Sequence, residues 1–214
     1  MKRLFIILML GFRLVYASCD TLYKAQQYES AYTECLKSAE SNIPEAQINL
    51  GWMYYEGKGV KKDYSQTFYW FLQAANQDDI SAQHNLGRLY YKGEGVQQDY
   101  TQSYNWYLKA AEQGNANAQY MLGVMYYKGE GVQQNYNQSY NWYLKSADQG
   151  NVSAQYRLGL MYYKGEGVKK DYAKACALIS KATIQSDAKT KSLRKYICAI
   201  SKKPLESKTD CLKK

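Results

Sequence analysis

Gly51-Trp-Met-Tyr-Tyr-Glu-Gly-Lys-Gly-Val60 returns 36 residues later as Gly87-Arg-Leu-Tyr-Tyr-Lys-Gly-Glu-Gly-Val96. Copies at Gly123–Val132 and Gly159–Val168 keep the same register. A fixed period of this length is the mark of stacked supersecondary units, none of which buries its apolar face alone. The chain is therefore read as an all-α repeat scaffold.

The unit Asn115–Gly150 shows how each copy builds itself. Asn115 is placed to cap a first helix, A, and Asp79 and Asn151 hold the same slot. The first copy has Ile43 there, followed by Pro44, which suits a first helical turn. Ala118, Leu122, Met125 and Tyr126 form one apolar stripe at i, i+4, i+7 and i+8. Gly123 recurs inside helix A in every copy despite costing about 1 kcal/mol relative to alanine, which predicts close approach by the partner helix. Gly129 is expected to end helix A in the left-handed region, Gly131 to allow the following turn, and Val132 to plug the core.

Helix B opens at Asp63, Asp99, Asn135 or Asp171. Gln66, Gln102 and Gln138 follow three residues on, the spacing of a reciprocal capping box. Tyr136, Tyr140, Leu144 and Ala147 are read as its buried side, with Trp142 nearly opposite. A helix apolar on two sides fits a slot between successive units. Asn42, Asp78, Gly114 and Gly150 close helix B with residues that tolerate positive φ.

The expected organisation is a signal peptide over 1–17 and an incomplete N-terminal unit over 18–42. Four units follow at 43–78, 79–114, 115–150 and 151–182, then a basic capping helix and tail over 183–214. Lys2-Arg3, the apolar run Leu4–Phe12 and Val15-Tyr16-Ala17 carry the signal-peptide reading. That run is too short to span a bilayer. Val15–Cys19 also resembles a lipoprotein box, with Tyr16 where that motif prefers Leu; in that alternative Cys19 is acylated and holds the chain at a membrane. Leu193, Ile197 and Ile200 predict one amphipathic capping helix, which Pro204 prevents from continuing.

Formal charge is +9, and its distribution matters more than its size. Ser18 to Ala182 carries 16 basic and 16 acidic residues, whereas Thr183 to Lys214 carries 9 basic and 3 acidic. A neutral repeat body argues against a nucleic-acid groove. The five cysteines also sit at the ends, where terminal units lack a neighbour. Export to an oxidising compartment predicts Cys19–Cys35 and one further bond among Cys176, Cys198 and Cys211, with Cys198–Cys211 favoured over Cys176–Cys198. No CxxC pair occurs and His84 is the sole histidine, so no metal or other cofactor is expected.

The Ala-Gln-x-x-Leu-Gly-x-x-Tyr-x-x-Gly-x-Gly-Val stretch, the Asp-Tyr, and the Trp six residues after that Tyr resemble the Sel1-like repeat family. Four copies cover 43–182, with Leu178 in place of Trp in the last. The related tetratricopeptide family has a period of about 34 and lacks the Gly-x-Gly-Val turn. The resemblance implies a right-handed α/α superhelical solenoid acting as an adaptor for other proteins, with helix A on the concave side. Many secreted bacterial members act in the envelope or in contact with host cells.

Comparing the four copies with one another locates a second face of helix A. Its changing positions read Glu45, Ile48, Asn49, Trp52, Glu56; Ser81, His84, Asn85, Arg88, Lys92; Asn117, Tyr120, Met121, Val124, Lys128; and Ser153, Tyr156, Arg157, Leu160, Lys164. Trp52, His84, Arg88, Tyr120, Tyr156 and Arg157 are the candidate partner-binding residues, because Trp, Tyr and Arg concentrate at the energetic centres of interfaces. His84 itself reads as a surface substitution rather than a general base. A protein or peptide partner and a monomeric chain are expected.

No catalytic constellation is expected. Some cysteine-rich Sel1-like proteins are described as β-lactam-binding or β-lactamase-like, and Ser-x-x-Lys occurs at Ser186–Lys189 and Ser192–Lys195. Composition alone would produce about as many matches, and no Ser-Asp-Asn or Lys-Thr-Gly accompanies them.

Overall fold

A computed structural model describes residues 18–182 and 188–202. The signal segment, Ser186, Pro204 and Cys211 lie outside the described residues. Among those described there are eleven helices and no strand. The first helices of the four units are α3 (Pro44–Glu56), α5 (Ile80–Lys92), α7 (Ala116–Lys128) and α9 (Val152–Lys164). Their partners are α4 (Tyr64–Ala75), α6 (Tyr100–Glu112), α8 (Tyr136–Asp148) and α10 (Tyr172–Ala182). Before them come α1 (Cys19–Lys24) and α2 (Tyr28–Glu40), the latter in helix-B register, and α11 (Ala188–Ser201) closes the stack. Each helix packs against the one before and the one after it, the contact pattern of an α/α solenoid.

The caps explain why the helices begin where they do. Asp79, Asn115 and Asn151 accept from the backbone N–H three residues on, whereas Ile43 makes no side-chain cap and relies on Pro44. Asp63 accepts from Ser65 and Gln66 N–H, and Asp99 repeats this. The reciprocal half of the expected capping box is not used. The N–H groups of Asp63, Asp99, Asn135 and Asp171 donate instead to the carbonyls of Tyr54, Tyr90, Tyr126 and Tyr162 at 2.9–3.0 Å. The A–B turn brings that carbonyl close enough to satisfy the donor before a glutamine side chain is needed.

The buried seam of helix B differs from its expected apolar side. Leu144 is 38% exposed, and Tyr143 is buried in its place. The seam is Ser139, Tyr143, Ser146 and Ala147. Tyr143 lies directly over Gly123, where an added Cβ would overlap its ring. The same closeness lets Ser139 Oγ donate to Gly123 O at 2.7 Å, as Ser103 does to Gly87. Phe71, Tyr107 and Tyr143 thus play one role in successive units, and Ile179 takes it over Gly159. Each such side chain contributes about 1.5–3 kcal/mol by leaving water.

Two polar ladders, one part-buried and one buried, hold neighbouring units in register. Gln77, Gln113 and Gln149 donate to the Oε1 of Gln47, Gln83 and Gln119 at 2.8–2.9 Å. Gln47, Gln119 and Gln155 in turn donate to the carbonyls of Ala39, Ala111 and Ala147. Replacing Gln119 by alanine would remove its bond to the Ala111 carbonyl, which keeps the Gly114 N–H, and release the exposed Gln149 amide to solvent. The expected loss is about 0.5–1.5 kcal/mol of stability in urea titration, against a smaller change, within about 0.5 kcal/mol, for exposed Gln133→Ala.

The stack is stapled at both ends. Cys19–Cys35 forms as expected. At the far end Cys176 pairs with Cys198, not Cys198 with Cys211. Packing of Leu193 and Ile197 against α10 brings one turn of α11 alongside Cys176, a proximity that sequence distance does not reveal. A sulfur held in the Cys19–Cys35 disulfide cannot also carry a thioether-linked lipid, so the two readings of Cys19 exclude each other.

Candidate functional site

The four first helices set their changing positions side by side. Not all of that face is open. Asn49 and Asn85 are buried, and Asn49 Nδ2 donates to the Cys19 sulfur at 3.5 Å. Val124 is also buried. Glu45, Ser81, Asn117 and Ser153 form an exposed row, as do Glu56, Lys92, Lys128 and Lys164. Between those rows lie the half-buried aromatic and cationic side chains.

Two cross-unit pairs are brought together there. Arg88 of α5 stacks over the Trp52 ring of α3 at 5.2 Å and over Tyr55 at 4.4 Å, donating to the Tyr55 hydroxyl at 3.1 Å. Trp52 meets Tyr55 and Phe71 edge-on at 5.6 and 5.5 Å. Further along, the exposed Arg157 of α9 lies beside Tyr120 of α7. Partial burial lowers the Arg157 pKa, but the Tyr120 hydroxyl outweighs this and holds it above the ordinary guanidinium value. Tyr120 also packs on Tyr143. Tyr156 stands apart from both pairs, packed against the terminal cluster of Ala175, Ile179 and Ile197.

His84 is not a simple surface substitution. It packs at 5.6 Å from the Tyr107 ring, and burial, reinforced by the Arg88 charge, depresses its pKa to about 4. The folded state therefore resists a proton that the unfolded chain takes up near pH 6.5. Stability from this group is intact above about pH 6.5 and falls as pH drops towards 4. His84→Tyr, the residue type in the next two copies, is expected to remove about 1–3 kcal/mol of stability loss between pH 7 and 4. Paired urea titrations across that range would show the stability of the variant rising relative to wild type as pH falls.

A third ladder was not anticipated. Tyr91 and Tyr127 donate to Glu130 and Glu166 in the next unit at 2.6 and 2.9 Å, and Lys128 and Lys164 donate back to those hydroxyls. The second unit breaks the pattern. Tyr55 faces Arg88, while Oε2 of Glu94 and the Nε and Nη2 of Arg88 are buried without a hydrogen-bond partner. The recurring Tyr, Lys and Glu of the Tyr-Tyr-Lys-Gly-Glu phrase were the available signal; their pairing across units was not.

The tandem copies, the Gly-x-Gly-Val turns and the cross-unit packing all describe one repeat. The Sel1 repeat model matches residues 44–79, 80–115, 116–151 and 152–187. The chain belongs to the Sel1 repeat family. A Sel1 repeat protein from Oxalobacter formigenes is 35% identical, with a TM-score of 0.75 over 82% of this chain and 72% of that one. A protective antigen of uropathogenic Escherichia coli with the same fold is 36% identical, with a TM-score of 0.80. The match covers 91% of this Sel1 repeat chain but only 44% of the antigen, so this chain spans less than half of that protein's length. Comparison with curated proteins returned no match.

Sel1 repeats are in general protein-interaction scaffolds, and this chain has that architecture. Its two disulfides fit an extracytoplasmic protein. No helix among the described residues is long and apolar enough to cross a membrane. Nor is any group of three or more His, Cys, Asp or Glu among them placed to hold a metal ion. Ser192 and Lys195 both line an open cavity of about 700 Å³ beside α11, whose other walls are Ser180, Lys191, Arg194, Cys198, Ala199 and Lys202. Among the described residues no carboxylate, tyrosine or histidine joins them.

Proposed function

We propose that this Sel1 repeat chain is an exported, monomeric adaptor, periplasmic or secreted after loss of residues 1–17. It binds a protein or peptide along the concave face formed by α3, α5, α7 and α9. The observation that carries the reading is the juxtaposition of Trp52 with Arg88 and of Tyr120 with Arg157. Each is an aromatic–guanidinium pair built across a unit boundary, on a face that keeps exposed polar rims. Trp, Tyr and Arg supply much of the energy at protein interfaces. Helices already fixed by their ladders also lower the ordering cost of binding. His84 and Tyr156 complete the candidate set.

Affinity capture from envelope and culture medium tests this, using oxidised wild-type protein beside two variants. The first is Trp52→Ala/Arg88→Ala/Tyr120→Ala. Because Trp52 and Tyr120 also pack on Phe71 and Tyr143, the second changes only exposed positions, Ser81→Glu/Arg157→Glu. A protein retained by wild type and lost from both establishes the site; equal retention by the second removes it. Among the described residues the β-lactam alternative has only Ser192 and Lys195 to support it, and no nitrocefin turnover is expected.

A further inference from the structure

We propose that the outward face of α11 is a docking surface for a membrane bearing anionic phosphate headgroups. One side of this helix is committed to the fold: Leu193 and Ile197 pack on Ala175 and Ile179 of α10, and Ile200 is buried on the same side. An exposed stripe outside that side, running past the Cys176–Cys198 bond, carries Lys191, Arg194 and Lys195 of α11 and Lys202 just beyond its end, spaced i, i+3, i+4 and i+11. At about 100° per residue these four fall on one face. All four are exposed, and they line the same open cavity of about 700 Å³. None of the described ion pairs involves them; those pairs all lie between Asp20 and Glu166. The Cys176–Cys198 bond lies within the stripe and pins the helix to α10, so the charges are presented on a fixed element.

Contrast with the rest of the molecule makes the patch more than incidental basicity. Residues 18–182 carry equal numbers of basic and acidic side chains, and the excess positive charge begins only beyond them. The chemistry of the stripe also selects among anionic occupants. Lysines on long flexible stems in an open concavity make a diffuse multivalent array, which suits many mobile phosphates better than one bound ion. Among the described residues no aromatic ring lines the cavity, so they provide no stacking platform of the kind a single-stranded nucleic-acid site uses. Nor do those residues offer the large apolar anchors on which protein interfaces depend. An array of four cations, each raising partitioning onto an anionic surface about fivefold, fits a headgroup layer.

Vesicle co-sedimentation tests the proposal, using oxidised full-length product recovered after export, its N-terminus sequenced. Vesicles of phosphatidylcholine containing about one-third phosphatidylglycerol are compared with phosphatidylcholine alone. Binding is expected only to the anionic vesicles, falling more than about tenfold between about 0.05 and 0.5 M NaCl. Lys191→Gln/Arg194→Gln/Lys195→Gln/Lys202→Gln should bind more than about tenfold more weakly with its melting temperature retained. Lys109→Gln/Lys145→Gln, altering cations of the neutral body, should bind as wild type. Equal binding to both vesicle types, wild-type binding by the quadruple variant, or an equal loss in the control pair would each overturn the proposal. So would full displacement by millimolar inorganic phosphate at constant ionic strength, which would mean a discrete ion site.

Discussion

Gly131→Ala is expected to lower stability by roughly 3–5 kcal/mol, while Gly114→Ala costs only about 1–2 kcal/mol. Both glycines have positive φ, +71° and +92°, so both substitutions carry the left-handed penalty. Their surroundings separate them. Around Gly114 nothing lies within 4 Å of an added Cβ. At Gly131 the added carbon would overlap the carbonyl of Tyr100, the first residue of α6 in the preceding unit. That obstacle is backbone at a helix start, and it cannot turn aside as a side-chain end could. Gly131→Ala therefore strains the joint between two units. In a solenoid, where stability is the sum of units and nearest-neighbour interfaces, a weakened joint also reduces cooperativity. Urea unfolding followed by circular dichroism should give a lower midpoint and a broader or split transition for Gly131→Ala. Equal shifts for the two variants would show that the interlocking of units is not what the glycine serves.

Cys19→Ala/Cys35→Ala is expected to cost about 2–4 kcal/mol and to release α1. A six-residue helix has no stability of its own. Its hold on the fold comes from the bond across 16 residues, together with packing of Cys19 among Ala31, Cys35, Ala39 and Leu50. Detachment would also uncover the buried Asn49 amide, which donates to the Cys19 sulfur. Hydrogen exchange should show protection lost over Cys19–Lys24 and weakened at the start of α3, with α7 and α8 unchanged, since contacts run only between neighbours. The opposite end should respond differently. Cys176→Ala/Cys198→Ala leaves Leu193 and Ile197 to hold α11, so part of its protection should survive. Loss of protection throughout the chain in either variant would contradict a nearest-neighbour stack.

Much of this was open to reading from the sequence. The 36-residue phrase established the units, because a glycine pair cannot recur four times in register unless the same turn is built four times. Gly123 announced a close contact for the same reason. Cys19–Cys35 was legible because terminal units leave few other partners. The changing face of helix A was legible as a list of positions, but not as a surface. That Asn49 and Asn85 are buried while Arg157 is exposed depends on how each helix is rolled against its neighbours.

Local pattern and spatial partnership obey different physics, and the boundary between them follows from that. The sequence by itself determined what each residue can do within one turn of chain: cap, terminate, or join an apolar stripe. Those choices are governed by backbone dihedrals and helical period, and they act over three or four residues. Only the tertiary structure decided which groups meet across 22, 30 or 39 residues: Cys176 with Cys198, Gln149 with Gln119, Tyr127 with Glu166. It also decided that Tyr143, not Leu144, fills the core. Both are acceptable to a helix, but only one points at the gap that Gly123 leaves.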